Sequence, residues 1–357
     1  MRFFRPYFAT RQYASSSHQN LLNSWPHQLL RTSIYSQVFN TRDYNLRSFS
    51  TVTIPDLFVS FLAQKPVQNP NYAQVKALLE ASMRDFGYNN TEYAKRVCAD
   101  FPYFAALFAP TAAVSEYQTI CDYLHWIFDF DDLFDDGNLS NKFQDAQRKV
   151  DGLLAILSLE GNGDTSKDDI LGHAFRSIWK RIVESSTKGV QERFSTYIRN
   201  YCDALLRQVG TRQPLDQTSI SEYTTIRSES LGALPFFPLI EYYQFLDLPN
   251  EVMNHHSIKE IETIAVEIMM LHNDLLSYQK ECTTNPTNPN IISLYRHHHS
   301  LSQQQAYDAV DSLLRERYKR WYIAHSELPV LGEKLDEQVQ RYVHGCGDVV
   351  RSNLNWR

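Results

Sequence analysis

No apolar stretch in the chain reaches the length of a bilayer-spanning helix, which excludes an integral helical membrane protein. Basic residues are not in excess either. Lys and Arg number 35 against 41 Asp and Glu, and a formal net charge of −6 gives no electrostatic footprint for nucleic acid. Cysteine is sparse. The five residues, Cys98, Cys121, Cys202, Cys282 and Cys346, are odd in number and scattered, which argues against a disulfide framework or a zinc site and fits a reducing compartment. No alternating strand-like run matches the helix-length segments, and no Gly/Ser linker divides the chain after residue 54. His297, His298 and His299 follow NPTNPN in a polar connection and read as loop residues rather than ligands.

What the chain does contain is a series of periodic apolar segments, at 72–86, 92–108, 114–134, 167–186, 188–209, 256–281, 301–326 and 333–350. They predict an all-α, single-domain bundle with a central cavity between facing helices. Two polar patterns interrupt the apolar ones. The first is the acidic run Asp131-Asp132-Leu133-Phe134-Asp135-Asp136, preceded directly by the aromatic and apolar ICDYLHWIFDF. The second is NDLLSYQKE, which sets Asn273, Ser277 and Glu281 at steps of four. A helix turns about 100° per residue, so such steps drift only roughly 40° and place three oxygen donors on one face. Amide, hydroxyl and carboxylate oxygens are hard ligands of the kind Mg²⁺ accepts, and Mg²⁺ completes its octahedron with waters and phosphate oxygens. Alone, the acidic run reads as a solvated face and the triplet as ordinary helix surface. Together, each at the end of an apolar helix, they read as two halves of a magnesium site for a phosphorylated ligand.

These motifs resemble those of fungal class I terpene synthases of the sesquiterpene type, over residues 54–357. The first pattern is similar to the family's DDxx(x)D/E motif, and the second to (N/D)DxxSxxxE with a basic residue, here Lys280, just before the Glu. The family places a diphosphate-sensing arginine about 46 residues before the Asn, which is the position of Arg227. The resemblance implies Mg²⁺-dependent ionisation and cyclisation of farnesyl diphosphate, or a similar prenyl diphosphate, with release of inorganic diphosphate. Three Mg²⁺ ions are implied, with Asp131, Asp132, Asp135 and Asp136 on one side and Asn273, Ser277 and Glu281 on the other. Arg227 and Lys280 would bind diphosphate oxygens. Phe128, one turn before Asp131, is the candidate for a cavity wall that stabilises carbocations through its ring face, with Phe104 and Phe108 more simply read as core. Gly232, Pro235 and Pro238 predict a helix break after Arg227. Asp129-Phe130-Asp131-Asp132 also matches the DxDD of class II cyclases, but the chain has no room for the second helical domain that chemistry needs. A chain-elongating prenyltransferase would need a second DDxxD where NDLLSYQKE stands.

Residues 1–53 differ in kind. The first fifty hold six Arg, no Lys and a single acid, Asp43. Arg-rich, acid-poor sequence resembles a mitochondrial presequence, while the family's sequences begin near Phe49–Phe58. The expectation is a disordered, targeting or wrongly joined extension ahead of a cytoplasmic enzyme, with mitochondrial import as the alternative. At the other end, family members continue past a Trp, here Trp356, to an Arg-Tyr pair that closes over diphosphate. No such pair follows Trp356 in this sequence, so the alternative expectation is a truncated, non-catalytic isoprenoid-diphosphate-binding protein.

Overall fold

The computed structural model describes residues 51–85, 90–135, 137–158, 169–210, 215–284 and 289–356. Asp136 and the extension at 1–50 lie outside the described residues. The described residues from Thr53 onward belong to one compact unit. Those residues form helices and no strand. In order they are α1 (Tyr72–Asp85), α2 (Asn90–Ala99), α3 (Phe101–Phe108), α4 (Val114–Asp135), α5 (Phe143–Ser158), α6 (Ile170–Ser185) and α7 (Lys188–Gly210). There follow α8 (Ile220–Ser230), α9 (Phe236–Gln244), α10 (Asn250–Met253), α11 (His256–Thr284), α12 (Ile291–His298), α13 (Gln303–Ser326) and α14 (Glu333–Trp356). No described helix is long and apolar enough to cross a membrane.

The apolar segment at 92–108, expected as one helix, is two. Pro102 cannot donate to a helix ladder and its ring would collide with the carbonyl four residues back. The chain therefore turns at Asp100, which takes a left-handed φ of 45°, and its carboxylate caps α3 at the Tyr103 amide. That carboxylate is held by the Tyr72 hydroxyl at 2.6 Å and the Lys76 ammonium at 2.7 Å. His297 and His298 form the last turn of α12 rather than a loop. Histidine suits the unpaired carbonyls of a helix C-terminus, and the His298 ring reaches the Thr218 carbonyl at 2.8 Å.

The core is built around α4, α9, α11 and α14. Helix α9 is buried along Phe236–Tyr243, as expected of a short helix with apolar residues on every side. Helix α14 comes so close to it that a side chain on Gly345 would stand 2.4 Å from the Ile240 Cγ2. Aromatic rings fill the space between helices. Trp126 of α4 stacks on Phe130 at 5.0 Å and tilts against Phe175 of α6 at 4.5 Å, while Phe236 meets Phe104, Phe108 and Tyr123.

Candidate active site

The last turns of α4 carry the acidic motif. Asp131 is fully buried and Asp135 nearly so, whereas Asp132 is half-buried. A carboxylate withdrawn from water is costly unless hydrogen-bonded or met by a cation. Asp131 Oδ1 accepts from the Tyr201 hydroxyl of α7 at 2.8 Å. Asp135 Oδ1 accepts from the Gln208 amide at 2.7 Å, and Gln208 in turn accepts from the Ser230 hydroxyl at the end of α8 at 2.9 Å.

The second motif lies on α11 with Asn273, Ser277 and Glu281 all buried. Helix α8 brings Arg227 against it. Arg227 is 7 % exposed and donates to Asn273 Oδ1 at 3.0 Å. Its Nε stands 3.9 Å from Asp274 Oδ1. Burial alone would lower the guanidinium pKa, yet it is raised by the carboxylates of Asp274, Asp135 and Glu281 around it. Asp135 belongs to the first motif and Glu281 to the second, so carboxylates of both motifs act on the same guanidinium. Lys280 is half-buried beside Glu281 on α11.

Asp274 is the hub beneath this face. Its Oδ2 accepts from the Tyr223 hydroxyl at 2.7 Å and from the Ile291 amide at 2.9 Å. Burial pushes its carboxyl up to about 6 against the opposing pull of Arg227. Asn290 donates to the Asp274 carbonyl and to Glu281 Oε2, both at 3.0 Å. Tyr201, Gln208, Tyr223 and Asn290 thus hold the motif residues in place. Their sequence neighbourhoods carry no spacing signal, although Asn290 closes the NPTNPN run.

The donors fit Mg²⁺. All the candidate ligand atoms are oxygen, and Ser277 Oγ is buried with no hydrogen-bond partner among the described residues. A buried hydroxyl without a partner marks a place where another group belongs. No cluster of three or more His, Cys, Asp or Glu side chains among the described residues suffices to hold a metal unaided. An ion there would draw other ligands from Asn and Ser, water and phosphate, as Mg²⁺ does.

Next to Asp131 the wall turns aromatic. Phe128 packs on Phe101 at 4.3 Å and on Trp356 at 5.6 Å, and Phe104 stacks on Trp356 at 5.1 Å. The Trp356 indole N–H donates to the Ala99 carbonyl at 2.5 Å. Phe108 is core, between Phe236 and Tyr243. Helix α8 ends at Ser230, Gly232 takes φ +67°, and α9 restarts at Phe236 after Pro235, so the break after Arg227 is present. Asp129, the first residue of the DxDD alternative, is bound at both oxygens by Arg96 at 2.8 Å.

A helical bundle in which buried aspartates at the end of one helix face an Asn/Ser/Glu stripe on another across an arginine is a class I terpenoid synthase fold. Solved structures share it. α-Eudesmol synthase matches with a TM-score of 0.74 at 17 % identity, covering 82 % of this chain and 96 % of its own. Germacradien-4-ol synthase from Streptomyces citricolor gives 0.72 at 20 % identity, covering 84 % and 97 %. Residues 122–320 match the family model described as terpene synthase family 2, C-terminal metal binding. Silphinene synthase peniA of Penicillium patulum is 40 % identical over 328 residues, covering 90 % of this chain and 88 % of the relative. (+)-Eremophilene synthase of Gibberella fujikuroi is 33 % identical, covering 85 % and 86 %. Sesquiterpene synthase 1 of Postia placenta is 27 % identical, covering 71 % and 73 %. The chain belongs to the terpene synthase family and is an enzyme, a lyase acting on a diphosphate.

Proposed function

We propose that the protein ionises farnesyl diphosphate with Mg²⁺ and cyclises the resulting cation to sesquiterpene, releasing inorganic diphosphate. The observation that carries this reading is Arg227, buried on α8, bonded to Asn273 of the second motif and within the field of Asp135 from the first. A diphosphate entering between the motifs meets a guanidinium fork suited to bidentate contact with its oxygens. Arg227 then exchanges its Asn273 bond for the diphosphate, which leaves Asn273 Oδ1 available beside Ser277 Oγ and Glu281. Asp131, Asp132 and Asp135 make up the facing carboxylate set, Asp136 follows them in the motif as a further candidate ligand, and Lys280 of α11 adds a second cation.

Bound Mg²⁺, three ions by family resemblance, supplies charge stabilisation for the departing diphosphate. The chain does the rest. Tyr201 and Gln208 hold the two buried aspartates in orientation, and Asp274 with Asn290 fixes the α11 face. Phe128, Phe101, Phe104 and Trp356 line the side next to Asp131 with rings that attract positive charge and do not attack it. A relative named as a sesquiterpene synthase supports farnesyl diphosphate as the substrate. Placement in the cytoplasm is part of the same proposal.

Asn273→Ala and Asp131→Asn test the assignment. Each is expected to lose diphosphate release by at least about 10²-fold, in line with removal of a group that acts on developing charge, with the melting temperature retained. Turnover at the wild-type rate in both variants would overturn it. Retained binding of diphosphate analogues by a wild-type chain that gives no terpene would favour the non-catalytic binding protein.

A further inference from the structure

Asn353 sits on α14 one turn before Trp356, is fully buried, and neither its amide nitrogen nor its carbonyl oxygen has a hydrogen-bond partner among the described residues. Native proteins rarely leave a buried amide unpaired, and such a group calls for an explanation. Its position supplies one. Helices α9 and α14 run antiparallel in strict register. The Asp247 amide meets Gln338, the Gln244 carbonyl meets Arg341, and Ile240 abuts Gly345. Each step back along the α9 side is matched by an equal step forward along α14. Continued, this register sets Val349 level with Phe236, the first residue of α9, and Asn353 one turn of α14 beyond the start of α9.

The aromatic contacts agree. Phe104 stacks on Trp356 at 5.1 Å and tilts against Phe236 at 5.9 Å, so it spans the stretch of α14 between the level of Phe236 and Trp356, and Asn353 belongs to that stretch. Asn353 also shares its helix face with Val349, Cys346 and Tyr342, because the intervening steps return near a whole number of turns. That face looks inward, since the Tyr342 hydroxyl reaches Glu262 on α11. A carboxamide in this place is a buried polar group one turn before Trp356, whose ring meets Phe128 and Phe104.

We propose that Asn353 is a specificity-determining residue of the cyclisation. This rests on the function proposed above. The negative end of its amide dipole favours positive charge on the part of the reacting hydrocarbon nearest α14. An amide is too weak a nucleophile to trap that charge, and its bulk limits how the chain folds. It makes no hydrogen bond to either motif among the described residues, so binding and ionisation of the diphosphate end do not depend on it.

The test is the product spectrum of Asn353→Leu and Asn353→Ala with farnesyl diphosphate and Mg²⁺, measured by gas chromatography beside the melting temperature of each protein. Val349→Ala, one turn away, serves as a packing control. Expected is loss of the major product's majority to other terpenes in both Asn353 variants. Half-saturation by farnesyl diphosphate should be unchanged, and Asn353→Leu should melt no lower than wild type, because no protein hydrogen bond is lost. The control should keep the wild-type spectrum. An unchanged spectrum in the Asn353 variants, the same shift in the control, or a melting temperature of Asn353→Leu several degrees below wild type would each overturn the proposal. A wild-type chain that makes no terpene at all would instead fail the function proposed above, and the melting arm would still decide whether the amide is structural.

Discussion

Gln208 is not itself a proposed metal ligand, yet its one amide joins Asp135 to Ser230 at the end of α8. Partners of this kind fix the orientation of metal-binding carboxylates, and their loss commonly costs 10–100-fold in metal affinity. Gln208→Leu is therefore expected to raise the Mg²⁺ concentration for half-maximal turnover by about 10–100-fold, read by titration at saturating farnesyl diphosphate and by calorimetric Mg²⁺ binding with diphosphate present. Lower turnover at an unchanged Mg²⁺ requirement would contradict that role. His125, on the far side of the aromatic cluster, gives a different readout. Its ring lies against Phe101 at 4.9 Å with both nitrogens shielded and without hydrogen-bond partners. Burial first, and Arg96 second, push its pKa down to about 3 from the ordinary 6.5. The unfolded chain binds a proton below 6.5 that the folded chain refuses until about 3. The stabilising contribution is thus full above pH 6.5 and is lost as pH falls toward 3, at up to about 1.4 kcal/mol per pH unit. In denaturant titrations, the stability difference between wild type and His125→Phe should be flat above pH 6.5 and shift steadily in favour of the variant below it. A difference independent of pH between 4 and 8 would refute this.

At the level of the helices, Gly345 sets the distance between α9 and α14. A Cβ there would collide with Ile240 at 2.4 Å, and forcing extra volume into a packed core costs about 1–3 kcal/mol. Gly345→Ala should lower the unfolding free energy by that amount, with a correspondingly lower melting temperature, and any gain in stability would show that the two helices are free to separate. The long helices were legible from their apolar period, as 114–134, 188–209 and 256–281 illustrate against α4, α7 and α11. The short ones were not. Phe236–Gln244 is buried along nearly its whole length and so has no periodic contrast, and Ile220–Ser230 is polar on most sides because its buried members, Tyr223 and Arg227, are held by hydrogen bonds rather than by an apolar stripe. Asn290 caps α12 at the Ile292 amide while bonding Glu281, a double duty that only the fold reveals.

In the molecule as a whole, the motif residues on α4, α8 and α11 were readable because polar donors recur there at helical spacing within apolar surroundings. The residues that bring them together were not, because Tyr201, Gln208 and Tyr223 come from helices remote in sequence from the groups they hold. A second buried polar network, away from the site, ties the bundle together. Arg193 of α7 holds Glu241 of α9 at both oxygens, and Glu262 of α11 accepts from Tyr197 and Tyr342. Burial still raises the Glu241 carboxyl to about 7. Such a network resists distortion of the helices that carry Asn273 and Trp356, and leaves the diphosphate end and the aromatic wall as the parts proposed to meet substrate. The central claim is that these parts together convert a prenyl diphosphate to terpene only when a divalent ion completes the oxygen set. The most direct measurement is incubation of the purified protein with farnesyl diphosphate, with Mg²⁺ or with excess chelator, following inorganic diphosphate and volatile products together. The account predicts that both appear with Mg²⁺ and that neither appears with chelator. Terpene formed at equal rates in chelator, or neither product with Mg²⁺, would contradict it.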